Sequence, residues 1–176
     1  MLAMGQNMEQ KNRSLIHHER VQNILLNVPK LLRRFPPEDL REFLMTGDLE
    51  FFNAGDTILS EYSDQIDAAW LIADGKVSIW KDDIEMARLD PGGFIGETFL
   101  FNKGRRIATV KAISSVAVIR FDRSVVLGFF RTRPERIFKI FIMNLLEIQQ
   151  DRINAMNSKV VKLQHKLFEY QLEQGK

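Results

Sequence analysis

Residues 92–111 read GGFIGETFLFNKGRRIATVK. Glycines at 92, 93 and 96 allow backbone N–H groups to turn inward, and a short helical turn after Gly96 would aim its N-terminus at a negative group. Arg106, nine residues after Glu97, can return to the same point and grip an anion in a fork. Lys103, Arg105, Arg106 and Lys111 against Glu97 give +3 in the 18 residues from Phe94 to Lys111, leaving −1 for the rest of the chain. Glu97 would repel an anion, yet it can accept hydrogen bonds from a hydroxyl on the same ligand. A phosphate beside a sugar hydroxyl describes a nucleotide. Taken without the surrounding spacing, Glu97 and Arg106 also fit a plain ion pair across a loop.

Around this stretch, 176 residues leave room for one domain and a shorter addition, since domains run about 100–150 residues. An apolar fraction of 45% with 10% aromatics implies a packed core, and 10 Gly with 5 Pro excludes a fibrous chain. Lys and Arg total 25 against 23 Asp and Glu, a formal charge of +2, so no global grip on nucleic acid or anionic lipid is expected. The absence of cysteine excludes disulfides, thiolate zinc sites, cysteine-held iron–sulfur clusters and a cysteine nucleophile. Residues 1–12 hold no apolar run of the roughly 7–15 residues of a signal peptide, and no run approaches the ~18 of a membrane span. A cytoplasmic protein with no membrane partner is the expectation.

Three zones follow from the periodicity: a helical segment at 1–48, a strand-rich segment at 49–133 and a C-terminal helix at 134–176. In the first, Leu25, Val28, Leu31, Leu32 and Phe35 recur at helical spacing; Pro37 suits the first turn of a second helix, which Gly47 closes. In the second, Val77, Ile79, Val116 and Val118 alternate with their neighbours. Turn signals stand at Asn53–Asp56, Asp74-Gly75, Asp82-Asp83, Asp90–Gly93 and Asn102–Gly104. No interval is long enough for a crossover helix, so the sheet is antiparallel, a sandwich or a roll. In the third, Ile142, Leu146, Gln149, Ile153, Met156, Val160, Leu163, Leu167 and Tyr170 are spaced by alternating steps of four and three. That 3.5-residue period predicts a coiled-coil seam and a parallel homodimer, while Ile137, Phe138 and Phe141 pack on the roll.

The run Gly96-Glu97-Thr98-Phe99-Leu100, continued by Arg106-Ile107-Ala108-Thr109-Val110, resembles the phosphate-binding cassette of cyclic-nucleotide-binding domains of the catabolite-activator type. The resemblance extends over residues 51–134. Phe52–Ile58 is similar to the opening strand turn of that family, and Trp70–Val77 to its central hairpin. It implies an antiparallel, jelly-roll-like β-roll with flanking helices, a ligand, cAMP or else cGMP, and a role for each matching residue. Glu97 meets the ribose 2′-hydroxyl, and Arg106 takes the cyclic phosphate with the amides of Thr98, Phe99 and Ile107. Gly96 leaves room for the ribose, and Ala108 lies at the pocket wall. The long helix lids the base, with Gln149, Gln150, Asn154 and Asn157 within reach. The sequence departs from the family pattern at Phe99, Arg105, Ile107 and Tyr62, the last standing where a glycine is common.

Other chemistry finds little footing. His17 and His18 point apart on a helix and His165 lies far off, so no metal site is expected. No histidine falls inside the roll, so no enzyme is expected. Arg120, Arg123, Arg131, Arg133, Arg136 and Lys139 form a basic cluster that reads as a solvated face, and no direct nucleic-acid binding is expected. Phe51, Phe52, Phe94, Phe99, Phe101, Phe121, Phe129 and Phe130 read as core. The functional alternatives are a cyclic-nucleotide sensor, the sensor half of a transcription regulator, or a ligand-free β-roll used for dimerisation. The downstream partner is left open.

Overall fold

The computed structural model of the chain describes residues 19–63, 66–100 and 106–174. Helix α1 (Glu19–Leu26) buries Val21 and Ile24 and stops ahead of Pro29, which disfavours helical backbone in the residue before it. A 3-10 turn at Lys30–Leu32 follows, then α2 (Pro37–Met45), which starts on a proline and carries Glu38 and Asp39 where the helix dipole favours acids. Leu40, Phe43 and Leu44 form its buried stripe. Gly47 follows α2, but not as a left-handed cap. A Cβ there would come within 2.3 Å of Ile119 Cγ2 and 2.9 Å of the Arg120 carbonyl oxygen. Close approach to a strand, not helix termination, requires the glycine.

Eight strands follow: β1 (Asp48–Phe52), β2 (Thr57–Leu59), β3 (Ala68–Asp74), β4 (Val77–Lys81), β5 (Ile84–Leu89), β6 (Phe94–Ile95), β7 (Thr109–Ala112) and β8 (Val116–Asp122). They form two antiparallel four-stranded sheets, ordered β1-β8-β3-β6 and β2-β7-β4-β5. This is the expected antiparallel roll. Asp82 and Asp83, both at positive φ, make the two-residue turn between β4 and β5. The Asn102–Gly104 turn and Phe101 lie outside the described residues.

Alternation along β3 divides the interior in two. Ala69, Leu71 and Ala73 join a core shared with the helices, whereas Ala68, Trp70 and Ile72 join the core between the sheets. β8 does the same with Ala117, Ile119 and Phe121 on one side and Val116 and Val118 on the other. Phe51 departs from expectation: it lies near the end of edge strand β1 and is 57% exposed. Phe52 is half-buried beside the inner core, and the other described phenylalanines named above are buried.

Helix α3 (Arg123–Arg131) leads into α4 (Glu135–Gln174), 40 residues long. Ile137, Phe141 and Leu145 enter the helical core. Asn144, only 1% exposed, donates through Nδ2 to the carbonyls of Leu31 (3.1 Å) and Arg33 (2.6 Å), satisfying the end of the 3-10 turn. Lys30 adds ion pairs to Glu147 and Asp151. The basic cluster is largely engaged: Arg120 pairs with Asp122, Arg123 with Asp67, Arg133 with Asp39 and Glu42, and Lys139 with Glu135.

Phe43 is the hub of the helical core, with the rings of Phe121 and Phe129 at 5.0 and 5.4 Å and those of Phe35, Phe130 and Phe141 near 6 Å. Phe43→Ala is expected to cost about 3–5 kcal/mol, the range for a buried phenylalanine whose cavity cannot collapse. Urea unfolding measures it, and a loss near zero would mean that the hub is not packed as described.

Candidate ligand-binding site

Strand β6 is two residues long because the chain turns at Gly96, where φ is +70°. An L side chain adopts that conformation only at a cost, so glycine suits the position. The 3-10 turn Glu97–Leu100 follows. The Phe99 side chain goes into the helical core, and its N–H donates to the Gly96 carbonyl at 2.9 Å. Its amide is thus already engaged within the turn. The backbone of Glu97 and Thr98 opens this turn, while their side chains lie outside the described residues.

Arg106 returns to the same place. A Cβ on Gly96 would stand 2.4 Å from Arg106 Nη1 and 3.3 Å from Arg106 Cζ, so the guanidinium covers the bare face of the glycine. Its Nη2 donates to the Ala68 carbonyl, and its Cζ lies 5.5 Å from the centroid of the Trp70 ring. Strand geometry supplies that carbonyl. The Asp67 carbonyl points toward β8 and accepts the Arg123 N–H at 2.8 Å, so that of Ala68 points to the other edge, where β6 has already ended. The structure therefore brings Gly96 and Arg106 together at the opening of the Glu97 turn. A half-buried cation on an aromatic ring beside a glycine turn can hold an anion. Ile107 projects outward at 78% exposure, and Ala108 is half-buried just before β7.

Contacts that spacing could not reveal surround this pair. Between β2 and β3, the Tyr62 N–H donates to the Arg106 carbonyl (2.9 Å) and the Glu61 N–H to Thr109 Oγ1 (3.0 Å). Tyr62 sits at φ 64°, so the position does call for left-handed backbone. Lys81 Nζ donates to the Glu61 carboxylate and to Tyr62 Oη, the latter at 3.2 Å. The Lys81 hydrogen bond, more than any other effect, holds the Glu61 carboxyl below its ordinary range, against the opposing effect of desolvation. A lowered folded pKa means the ionised form is favoured by folding. The contribution is complete above the ordinary carboxylate range and fades only as pH falls through the lowered value.

On α4, Arg152 and Lys159 both bond to strands of the roll. Arg152 Nη2 donates to the Phe94 carbonyl (3.3 Å) and Lys159 Nζ to that of Met86 (2.8 Å). Among the polar candidates on α4, Gln150 Nε2 instead donates to Asn154 Oδ1 at 3.1 Å. The described residues contain no cluster able to hold a metal ion and no helix long and apolar enough to cross a membrane.

Residues 49–133 match the family model described as the cyclic nucleotide-binding domain. No curated protein matches the chain. Among solved structures, it is similar to the Thermus thermophilus catabolite activator protein, with 22% identity and a TM-score of 0.65. That match covers 76% of this chain and only 62% of the Thermus protein. It is also similar to the N-terminal domain of a Streptomyces coelicolor transcriptional regulator, with 23% identity, a TM-score of 0.63, and 74% and 96% of the two chains covered. A third is PKAR CBD2 with Sp-2Cl-cAMPS bound, at 21% identity and a TM-score of 0.57, covering 81% of this chain and 94% of that one. At these identities the likeness is one of fold.

Gly96→Ala separates backbone strain from the placement of Arg106. The colliding atoms include the mobile end of a long side chain, which can swing away. A stability loss of only about 1 kcal/mol is expected from the left-handed backbone. The displaced guanidinium should appear as a shift of the Trp70 indole N–H resonance. An unmoved resonance would show that Arg106 does not occupy the space over Gly96.

Proposed function

Because residues 49–133 belong to the cyclic nucleotide-binding domain family, we propose that the Gly96 turn and Arg106 form a cyclic-nucleotide site, and that the chain is a sensor signalling through α4 in a homodimer. The observation that carries this reading is the guanidinium of Arg106 seated over Gly96 at the opening of the Glu97–Leu100 turn. In this reading Arg106 takes the cyclic phosphate, helped by the amides of Thr98 and Ile107. Glu97 accepts from the ribose 2′-hydroxyl, Gly96 leaves room for the ribose and Ala108 walls the pocket. Phe99 contributes only by sharing its N–H in a three-centre bond. The Sp-2Cl-cAMPS bound to PKAR CBD2 supports the ligand class. cAMP is the preferred ligand and cGMP the alternative, since Ile107 has no hydroxyl for the guanine amino group.

The helix supports self-association. Seam residues Leu146, Ile153, Met156, Val160, Leu163, Leu167 and Tyr170 are each between 51% and 65% exposed in the single chain. A contiguous apolar stripe of that length is rarely left to water. Ligand can bias such a dimer only by the difference in its affinity for two states.

Titration calorimetry with cAMP and cGMP tests the site. Arg106→Ala should lose about 2–4 kcal/mol of binding, the scale for truncating one member of a buried charge pair. Unchanged affinity would remove Arg106 from the site, and no heat from the intact protein with either nucleotide would leave a ligand-free dimerisation roll. Tenfold tighter cGMP binding would reverse the base preference.

Sedimentation at micromolar concentration tests the dimer. The intact chain should run at twice the monomer mass, and a chain ending at Gln150 should run as a monomer. Dimers of the shortened chain would place the interface elsewhere.

A further inference from the structure

Lys81 is connected to Arg106 through two residues, Glu61 and Tyr62. The Tyr62 N–H holds the Arg106 carbonyl, and Tyr62 can present it only from a left-handed backbone that a tyrosine adopts at a cost. One ammonium group contacts both residues of that turn. Lys81 Nζ is bonded to the Glu61 carboxylate, lies 3.2 Å from Tyr62 Oη and sits 5.0 Å from the centroid of the Tyr62 ring. The same turn is stitched once more, by the Glu61 N–H to Thr109 Oγ1, so it grips the chain on both sides of Ala108. The base of the brace is firm, because Trp80, next to Lys81, is paired with Thr109 in the sheet.

We propose that Lys81 is a positioning residue for Arg106, fixing the guanidinium through the Glu61–Tyr62 turn; its effect on ligand rests on the cyclic-nucleotide reading above. Among the described residues, its side chain bonds to Glu61, Tyr62 and Asp82 rather than to Arg106. It sets where the Arg106 backbone starts, and so how closely the guanidinium can lie over Gly96 and against Trp70. An ordinary surface ion pair would have no such reach, and its loss would change little.

Two readouts test the proposal, the first needing no ligand. In Lys81→Met, the Tyr62 amide should exchange with solvent about tenfold faster than in the parent protein, and Lys81→Arg, which keeps the charge and the donor, should restore most of the protection. Unchanged exchange in Lys81→Met overturns the brace, whether or not the protein binds a nucleotide. The second readout is cAMP affinity in a double-mutant cycle. Lys81→Met alone should weaken binding roughly tenfold, the factor for one lost hydrogen bond to a charged group. In an Arg106→Ala background it should weaken binding no further. An equal loss in both backgrounds means that Lys81 does not act through Arg106. If the parent protein binds neither cAMP nor cGMP, the functional reading fails while amide exchange still decides the brace.

Discussion

From Ala68 to Ala73, strand β3 has no solvent face: the odd-numbered residues wall the helical core and the even-numbered ones wall the core of the roll. The chain can afford this only because the sequence AAWLIA is apolar at every position, and because β1, β8 and β6 complete its sheet. Close-packed interiors do not deform freely, so the two halves of the molecule are mechanically joined along this strand. The candidate site hangs on the same strand. Ala68 supplies the carbonyl that anchors Arg106, and Trp70, two residues on, supplies the ring beside it. Leu71, between Trp70 and Ile72, points the other way into the core that holds α2 and the first turns of α4.

Helix α4 reaches the roll along one line of residues. At about 100° per residue, Ile137, Phe141, Leu145, Ile148, Arg152 and Lys159 fall on a single side. Ile137, Phe141 and Leu145 bury themselves in the helical core, and further along Arg152 and Lys159 donate to strand carbonyls. The change from apolar to cationic contacts follows the surface that the helix crosses. The helical core can accept phenylalanine, whereas β5 and β6 are edge strands whose carbonyls call for donors. Asn144 marks the transition: it is buried among apolar neighbours, but both of its contacts are to carbonyls at the end of the 3-10 turn.

Much of this was legible in the sequence. The turn signals and the absence of room for a crossover helix imply an antiparallel sandwich or roll, the resemblance selects the roll, and the Gly96–Arg106 spacing points to two residues that do meet. What could not be read was of two kinds. Burial on both faces made β8 continuous in apolar character, so its VAVI run carried no more than a faint alternation. The contacts Arg106–Ala68, Lys81–Glu61 and Arg152–Phe94 join residues 20 to 58 positions apart and depend on sheet register, which no local pattern encodes. Gly47 shows the same limit. Local pattern makes it a helix cap, while the atoms that require it belong to β8. Tyr62 is the opposite case: the resemblance marks it as standing where a glycine is common, and its φ is left-handed.

The roll-facing line also bears on how two copies of α4 would meet. With Ile153, Val160 and Leu167 at one core position of the proposed coil and Met156, Leu163 and Tyr170 at the other, Arg152, Lys159 and Lys166 fall in a single flanking row. Gln150, Asn157 and Gln164 fall in the other. In an antiparallel pair each row faces its own kind, which sets cations against cations. In a parallel pair the cationic row faces the neutral one, and no like charges are opposed. The charge pattern therefore favours the same orientation as the β-branched residues at Ile153 and Val160. That orientation places both rolls at the N-terminal end of the coil, where the polar seam residue Gln149 lies one turn from Arg152. Arg152 is the residue that ties α4 to Phe94, two positions before Gly96. In the proposed dimer, the least apolar point of the seam and the tie to Phe94 would thus lie on the same turn of helix, where a change at Gly96 could reach the pairing.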